Sequence, residues 1–300
     1  MVQDFRSLLF APADAPLRLT RALNSGADIV LLDLEDMVAV GNKAQARASA
    51  AAILREIRER DGAPQLFVRV NSLDSGLIDA DLDAIMPGRP QGIVLPKSRS
   101  GMDVQHLAAK LAVQEAENDL RDGSTCILPL VTESGAAIFG LSTYARASHR
   151  LVALAWGVDD LAADIGAEDS RNDDGSWSDP FAMARQLTLF AAAAAGVPAI
   201  DTVFRDFGDL AGLRLEAQQA RADGFAAKLA IHPGQVGTIN HVFTPTGEAL
   251  ARAQAIVAAF SQQADAPFIR IDGQMFDRRQ LARARRVLGR AARANQPPPA

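Results

Sequence analysis

Apolar positions along this chain gather into short runs of aliphatic and β-branched residues, separated by longer stretches rich in alanine, leucine and arginine. Eight such runs stand out, at 6–13 (RSLLFAPA), 28–35 (DIVLLDLE), 65–71 (QLFVRVN), 92–97 (GIVLPK), 126–133 (CILPLVTE), 151–157 (LVALAWG), 199–204 (AIDTVF) and 228–232 (KLAIH). Most are near-continuous rather than alternating, which is the mark of strands covered on both faces. The intervening sequence predicts helices, among them 43–60, 103–119, 180–195 and 210–223. Gly26, Gly196 and Gly224 stand just ahead of the second, seventh and eighth runs, where a helix C-terminus favours a left-handed residue. Eight βα units at a spacing of about 30 residues predict a (β/α)8 TIM barrel. Pattern alone leaves an open doubly wound sheet as the alternative.

Beyond the eighth run, TPTGEALARAQAIVAAFSQQ predicts a capped helix, APFIRIDGQMFD a hairpin-like element, and RRQLARARRVLGRAARAN a basic helix. The expected organisation is therefore a barrel domain over 1–240, a small C-terminal helical appendage over 241–294, and a disordered tail at 295–300, where NQPPPA cannot pack or continue a helix. The stretch 167–179 has too few apolar residues to bury a face and predicts a polar, solvated loop, although loops on one face of such barrels often cover active sites.

Composition narrows the class of molecule. With 48% hydrophobic and 22% charged residues, a chain of 300 residues has the balance of an ordinary globular protein large enough for a sizeable core. Apolar runs fall well short of the ~20 residues that span a bilayer, and the N-terminus lacks a secretory pattern, so the expected location is the cytoplasm, with no membrane partner. A net charge of −5 argues against a nucleic-acid partner, which would call for a basic face. One cysteine, Cys126, excludes an intrachain disulfide framework and a cysteine-rich zinc site, and is expected to be a small buried residue.

Candidate chemistry follows from where the polar residues fall. Asp33, Glu35 and Asp36 close the second run, Arg69 and Asn71 the third, Lys97 the fourth and Glu133 the fifth, while Asp159 and Asp160 follow the sixth. In a barrel these ends converge on the catalytic face. Carboxylates from different strands, Glu133 and Asp160, with few histidines or cysteines nearby, suit a hard oxygen-seeking cation such as Mg²⁺ better than zinc. Salt bridging or loop capping is the other reading of the pair. Arg69 offers a planar fork to an anionic substrate or, structurally, to Asp33 or Asp36, and Lys97 carries the same ambiguity. His232 reads as a hydrogen-bonded structural residue, since no second histidine stands at ligand spacing.

The ordered set RSLLFAPA, GADIVLLDLEDMV with Lys43 and Arg47, FVRVN, GIVLPK, VTESG, WGVDDLAADIG, GFAAKLAIHPGQV and DGQMFD resembles the citrate lyase β-subunit-like CoA-ester lyases. These lie within the HpcH/HpaI aldolase superfamily, with the malyl-CoA and citramalyl-CoA lyases. The resemblance runs over about 6–285. It implies a Mg²⁺-dependent homotrimer that cleaves or forms a carbon–carbon bond in a 3-hydroxyacyl-CoA, CoA being part of the substrate. The family's metal ligands fall on Glu133 and Asp160, and its substrate-gripping arginine on Arg69. Its acid/base aspartate, in a G-x-M-x-D pattern reaching a neighbouring subunit, falls on Asp277. Arg18 and Arg21, after the first strand, are expected to meet CoA phosphates. A malyl-CoA-type thioesterase, a CoA-independent pyruvate aldolase and the β subunit of a multi-chain citrate lyase stand as alternatives. Departures from the family pattern are Ala11-Pro12-Ala13 for the usual Val-Pro-Gly, Thr132-Glu133-Ser134 for Ile-Glu-Thr, and Trp156 for a smaller apolar residue. They leave the acyl group open.

Overall fold

The computed structural model describes residues 5–58, 60 and 62–294, so the tail expected at 295–300 lies outside the described residues. All eight apolar runs contain strands: β1 Ser7–Pro12, β2 Ile29–Asp33, β3 Gln65–Arg69, β4 Gly92–Leu95, β5 Cys126–Pro129, β6 Leu154–Ala155, β7 Ala199–Asp201 and β8 Ala227–Ala230. They form one parallel sheet in the order β5-β4-β3-β2-β1-β8-β7-β6. The two end strands, β5 and β6, meet through the bridges Ile127↔Leu151 and Leu130↔Ala155, which bring the sheet round into a nearly closed barrel. The fold is the predicted barrel.

Alternation along each strand divides the core in two. Leu8, Phe10, Ile29, Leu31, Phe67, Val94, Leu128, Ile200 and Leu229 fill the lumen. Their neighbours Leu9, Val30, Leu32, Val68, Ile93, Leu95 and Ile127 pack outward under the helices. Each such side chain, fully buried, contributes ~1.5–3 kcal/mol of transfer free energy. Packing in the lumen is close enough to dictate a glycine: a Cβ at Gly92 would stand 2.3 Å from the Phe67 ring of the adjacent strand.

Helices follow the predicted periodicity with shifted ends. The helix expected to start at 103 begins earlier, as Gly101–Glu117, because Ser100 accepts from the Met102 amide while Asp103 accepts from the Ser100 amide. Gly196 and Gly26 take left-handed φ values of 73° and 78° in the turns leading into β7 and β2. The last barrel helix, Pro233–Phe243, packs on β8 and β1. After it, helices Gly247–Gln262 and Arg278–Ala294 flank an antiparallel hairpin of Phe268–Ile271 and Gln274–Asp277. This unit has its own core of Ala253, Ile256, Phe260, Ile269, Phe276, Leu281 and Ala284. Among the described residues, no helix is long and apolar enough to cross a membrane.

The stretch 167–179 is largely exposed, as expected of a solvated connection, but it is also tied down at Arg171 and Trp177. Arg171 bridges to Trp177, stacks over its ring at 3.6 Å and pairs with Glu216 at 2.5 Å, and Trp177 packs edge-on against Trp156. Its few aromatic and basic residues do the anchoring that an apolar face would otherwise supply. Cys126, expected to be buried, is partly exposed, because it opens β5 at the rim of the barrel.

Candidate active site

The lumen-facing alternation of β2 and β3 reaches Asp33 and Arg69 one step above the last apolar layer, and parallel register sets them opposite each other. Arg69 donates Nε–H and Nη2–H to the two Asp33 oxygens at 2.7 Å each. Asp33 also accepts the amides of Glu35 (3.0 Å) and Met37 (2.9 Å), which curls the loop after β2 over the mouth. From outside, Lys43 donates to the Leu34 and Glu35 carbonyls, and Asn71 to the Leu34 carbonyl. Arg47 holds Asp81, which in turn accepts from Asn71. The result places the Glu35 carboxylate inside the mouth.

Lys97 follows β4 in a left-handed conformation, φ 53°. That turn aims its amide at Glu133 Oε2 (2.5 Å) and its ammonium at Glu35 Oε1 (2.8 Å), with Asp36 at 3.4 Å and Asp160 at 3.9 Å. Glu35 Oε2 is buried without a hydrogen bond, its nearest cation being Arg69 Nη1 at 3.1 Å. Burial, opposed by Arg69, holds the Glu35 carboxyl above its ordinary range.

Glu133 lies just past β5 and is buried. Burial pushes its carboxyl up to about 8, against the Lys97 amide bond and with the help of the Glu35 and Asp160 charges. Asp160 sits in the first turn of helix Asp159–Ile165, and burial raises it too, opposed by Lys97. Its neighbour Asp159 is turned outward, exposed and paired with Arg205. Of the two adjacent aspartates, Asp160 is the one that faces Lys97 in the mouth.

Five carboxylates (Asp33, Glu35, Asp36, Glu133, Asp160) therefore meet two cations, Arg69 and Lys97. The carboxyls of Glu35, Glu133 and Asp160 are all raised above their ordinary range, and the donors of Glu133 and Asp160 are all oxygen. That set fits a hard divalent cation. Among the described residues, no group of three or more His, Cys, Asp and Glu has metal-holding geometry, so a cation at this mouth would take few protein ligands. Mg²⁺ is commonly bound in that way.

The remaining expected residues are placed elsewhere. Arg18 and Arg21 are exposed on helix Pro16–Leu23, which follows β1. Asp277 ends the C-terminal hairpin, where it accepts the amides of Arg279 and Gln280 and pairs with the Arg279 side chain. His232 caps helix Pro233–Phe243 through Nδ1 and stacks on Phe207, the structural role expected of it. Missed from sequence was a buried ion network behind the mouth. Lys228 donates to Asp201 (2.6 Å) and Glu216 (2.8 Å), and Asp201 also accepts from Trp156 Nε1 (2.9 Å) and Arg185 (3.2 Å). The signal was present as a charged residue inside each of two apolar strands.

A model of the HpcH/HpaI aldolase/citrate lyase family matches residues 6–233. The citrate lyase subunit beta of Leuconostoc mesenteroides subsp. cremoris is 32% identical over 97% of this chain and 94% of its own. The L-malyl-CoA/beta-methylmalyl-CoA lyase of Cereibacter sphaeroides is 34% identical over 85% of this chain and 83% of its own. Among solved structures, protein CitE from Mycobacterium tuberculosis in complex with magnesium, acetoacetate and coenzyme A superposes with a TM-score of 0.74. It is 32% identical and covers 97% of this chain and 100% of that one. The chain belongs to the HpcH/HpaI aldolase/citrate lyase family.

Proposed function

We propose that this chain is a Mg²⁺-dependent CoA-ester lyase that breaks or forms the C2–C3 bond of a 3-hydroxyacyl-CoA of the malyl, citramalyl or citryl type. The observation that carries the reading is the convergence of Glu133 and Asp160 on one barrel mouth with Arg69 and Lys97 beside them. Relatives named as lyases of such thioesters, and a similar structure holding magnesium and coenzyme A, support it.

Glu133 and Asp160 would hold the cation, which when bound supplies Lewis-acid stabilisation of the substrate oxygen that gathers charge. Arg69 spends Nε and one Nη2 hydrogen on Asp33; its Nη1 is paired by charge with Glu35 Oε2 at 3.1 Å without a hydrogen bond, and those hydrogens would turn to a substrate carboxylate or carbonyl. Lys97 adds a positive charge beside the carboxylates where an anionic acid enters, since its hydrogen bond to Glu35 and the surrounding carboxylates outweigh burial and hold the ammonium charged. In the cleavage direction the C3 hydroxyl passes its proton to water in the mouth and becomes a carbonyl. The C2–C3 pair moves onto the thioester-stabilised carbon, and that carbon takes a proton from an acid, yielding an acyl-CoA and a 2-oxo acid. Asp277 is the residue assigned to this proton, delivered from a neighbouring subunit of a homotrimer, and Arg18 and Arg21 are assigned to the CoA phosphates.

The test is a panel of malyl-, citramalyl- and citryl-CoA with Mg²⁺ present or chelated, products being separated by chromatography. Acetyl-CoA with a 2-oxo acid, dependent on Mg²⁺ and formed without an acyl carrier protein, is the expected result. Free CoA with an intact hydroxy acid would make the chain a thioesterase, and activity only with a carrier protein would make it a subunit of a larger lyase.

A further inference from the structure

Of the joins between neighbouring barrel strands, that between β5 and β6 is the weakest. β6 has only two residues, and the strands meet through two isolated bridges rather than a continuous ladder. The last backbone bond across this seam runs from the Val131 amide to the Ala155 carbonyl, 2.9 Å. The carboxylates of the mouth begin just above that point: Glu133 on the β5 side, and Asp160 three residues beyond Gly157 on the β6 side.

There a side chain takes over from the ladder. The fully buried Thr132 hydroxyl accepts the Gly157 amide at 3.0 Å and donates to the Gly157 carbonyl at 2.9 Å, so one oxygen satisfies both polar groups of that residue. Gly157 is also the residue against which Glu133 rests, since a Cβ at this position would lie 2.7 Å from Glu133 Cγ and 3.0 Å from Oε1. On its other side Gly157 is fixed by Trp156, whose indole N–H is bonded to the buried Asp201.

We propose that Thr132 is a positioning residue for the carboxylate pair: by clamping Gly157 across the β5–β6 seam, it fixes Glu133 and Asp160 relative to each other for a divalent cation. This rests on the reading of that pair as the Mg²⁺ ligands. Mg²⁺ tolerates little departure from octahedral geometry, and groups that orient metal ligands typically change affinity by about 10- to 100-fold when removed. Thr132 acts through the position of Glu133, without touching substrate or metal itself.

The experiment is calorimetric titration of Mg²⁺ into the purified full chain, backed by Mn²⁺ titration read by electron paramagnetic resonance. The variants are Thr132→Val, Thr132→Ser, Glu133→Gln and Thr188→Val. Thr188 is a fully buried threonine bonded to the Ala184 carbonyl within helix Asp179–Ala195, and its variant controls for loss of a buried hydroxyl that makes no bond across the seam. The expected result is an affinity about ten-fold weaker in Thr132→Val, restored to within about three-fold in Thr132→Ser, and unchanged in Thr188→Val. Equal affinity in Thr132→Val and the unmodified chain, with Glu133→Gln failing to bind, would overturn the clamp while leaving the metal reading intact. Undiminished binding in Glu133→Gln, or none by the unmodified chain, would overturn the metal reading and the clamp with it. If Thr132→Val does not fold, Thr132→Ser decides: an affinity more than ten-fold below that of the unmodified chain, despite the retained hydroxyl, overturns the proposal.

Discussion

Asp33 and Arg69 face each other across the β2–β3 register, and the guanidinium fork closes on both carboxylate oxygens at 2.7 Å. Both side chains are buried at the top of the lumen, and the Phe10 ring lies under the guanidinium at 4.7 Å. Asp33 thus holds one edge of the guanidinium, while Nη1 faces Glu35 Oε2 at 3.1 Å.

Removing Asp33 strands a buried cation. Asp33→Ala is expected to cost about 3–5 kcal/mol in urea unfolding followed by circular dichroism, the range for breaking one side of a buried pair. A loss below about 1 kcal/mol would match a solvated pair instead. In the same variant the Michaelis constant should rise, because Arg69 loses the contact that orients it.

Glu133→Gln and Asp160→Asn are expected to lower Mg²⁺-dependent turnover on the order of 10²–10⁴-fold, since Lewis-acid assistance is worth several kcal/mol and each 1.36 kcal/mol is ten-fold. Their folded circular dichroism spectra should persist. Asp159→Asn supplies the contrast, because that side chain is exposed and paired with Arg205. Its turnover should stay within about three-fold, as for a surface pair of little energetic weight. A comparable fall in all three would mean that general acidity, not the Glu133–Asp160 pair, supports activity.

The barrel was legible because its strands are buried on both faces and so read as apolar runs whose last residues turn polar. Asp33, Arg69 and Glu133 could be picked out on that ground alone. Lys97 could not be assigned a role, because what aims it is a left-handed backbone at a non-glycine residue, for which LPKS carries no signal. Lys228 and Asp201 were hidden for another reason: each is one charge in an apolar strand, and its partner lies 27 residues away at a position set by neighbouring strands. The run at 151–157 predicted a longer β6 than the two residues that pair, because apolar character there reflects burial of Trp156 beneath the helices rather than ladder bonding.

Glu115 and Arg150 form a second bidentate pair, fully inside the protein, at 2.8 and 2.7 Å. Burial alone would raise the glutamate, but the Arg150 hydrogen bonds and the amides of Thr125 and Gly123 outweigh it and carry the carboxyl down to about 2. A carboxyl depressed in the folded state stabilises above its unfolded value near 4.5, and that stability drains away as pH falls from there toward 2. The difference corresponds to about 3 kcal/mol at neutral pH. The gap in unfolding free energy between the unmodified chain and Glu115→Gln should therefore narrow steadily from pH 5 to pH 2. A gap independent of pH would show that the pair is not what depresses Glu115.

Asp277 is bonded within the C-terminal unit, capping helix Arg278–Ala294 through Oδ1 and pairing with Arg279, so any part it has in chemistry depends on where that unit reaches in the assembly. Asp277→Asn keeps the Oδ1 acceptor and thus the cap, but removes the proton-transferring carboxyl. It should leave Mg²⁺ affinity unchanged while slowing turnover by about 10²–10⁴-fold, the usual contribution of a general acid. If the active site combines Glu133 and Asp160 of one subunit with Asp277 of the next, mixing two inactive variants restores some sites. In a cyclic trimer formed from equal amounts of Asp277→Asn and Glu133→Gln chains, about a quarter of the sites draw all three groups from intact sources. Dissociating and reassembling the two variants should then return activity toward about a quarter of that of the unmodified chain. No recovery on mixing, despite verified subunit exchange, would confine Asp277 to its own subunit and remove the shared-site reading.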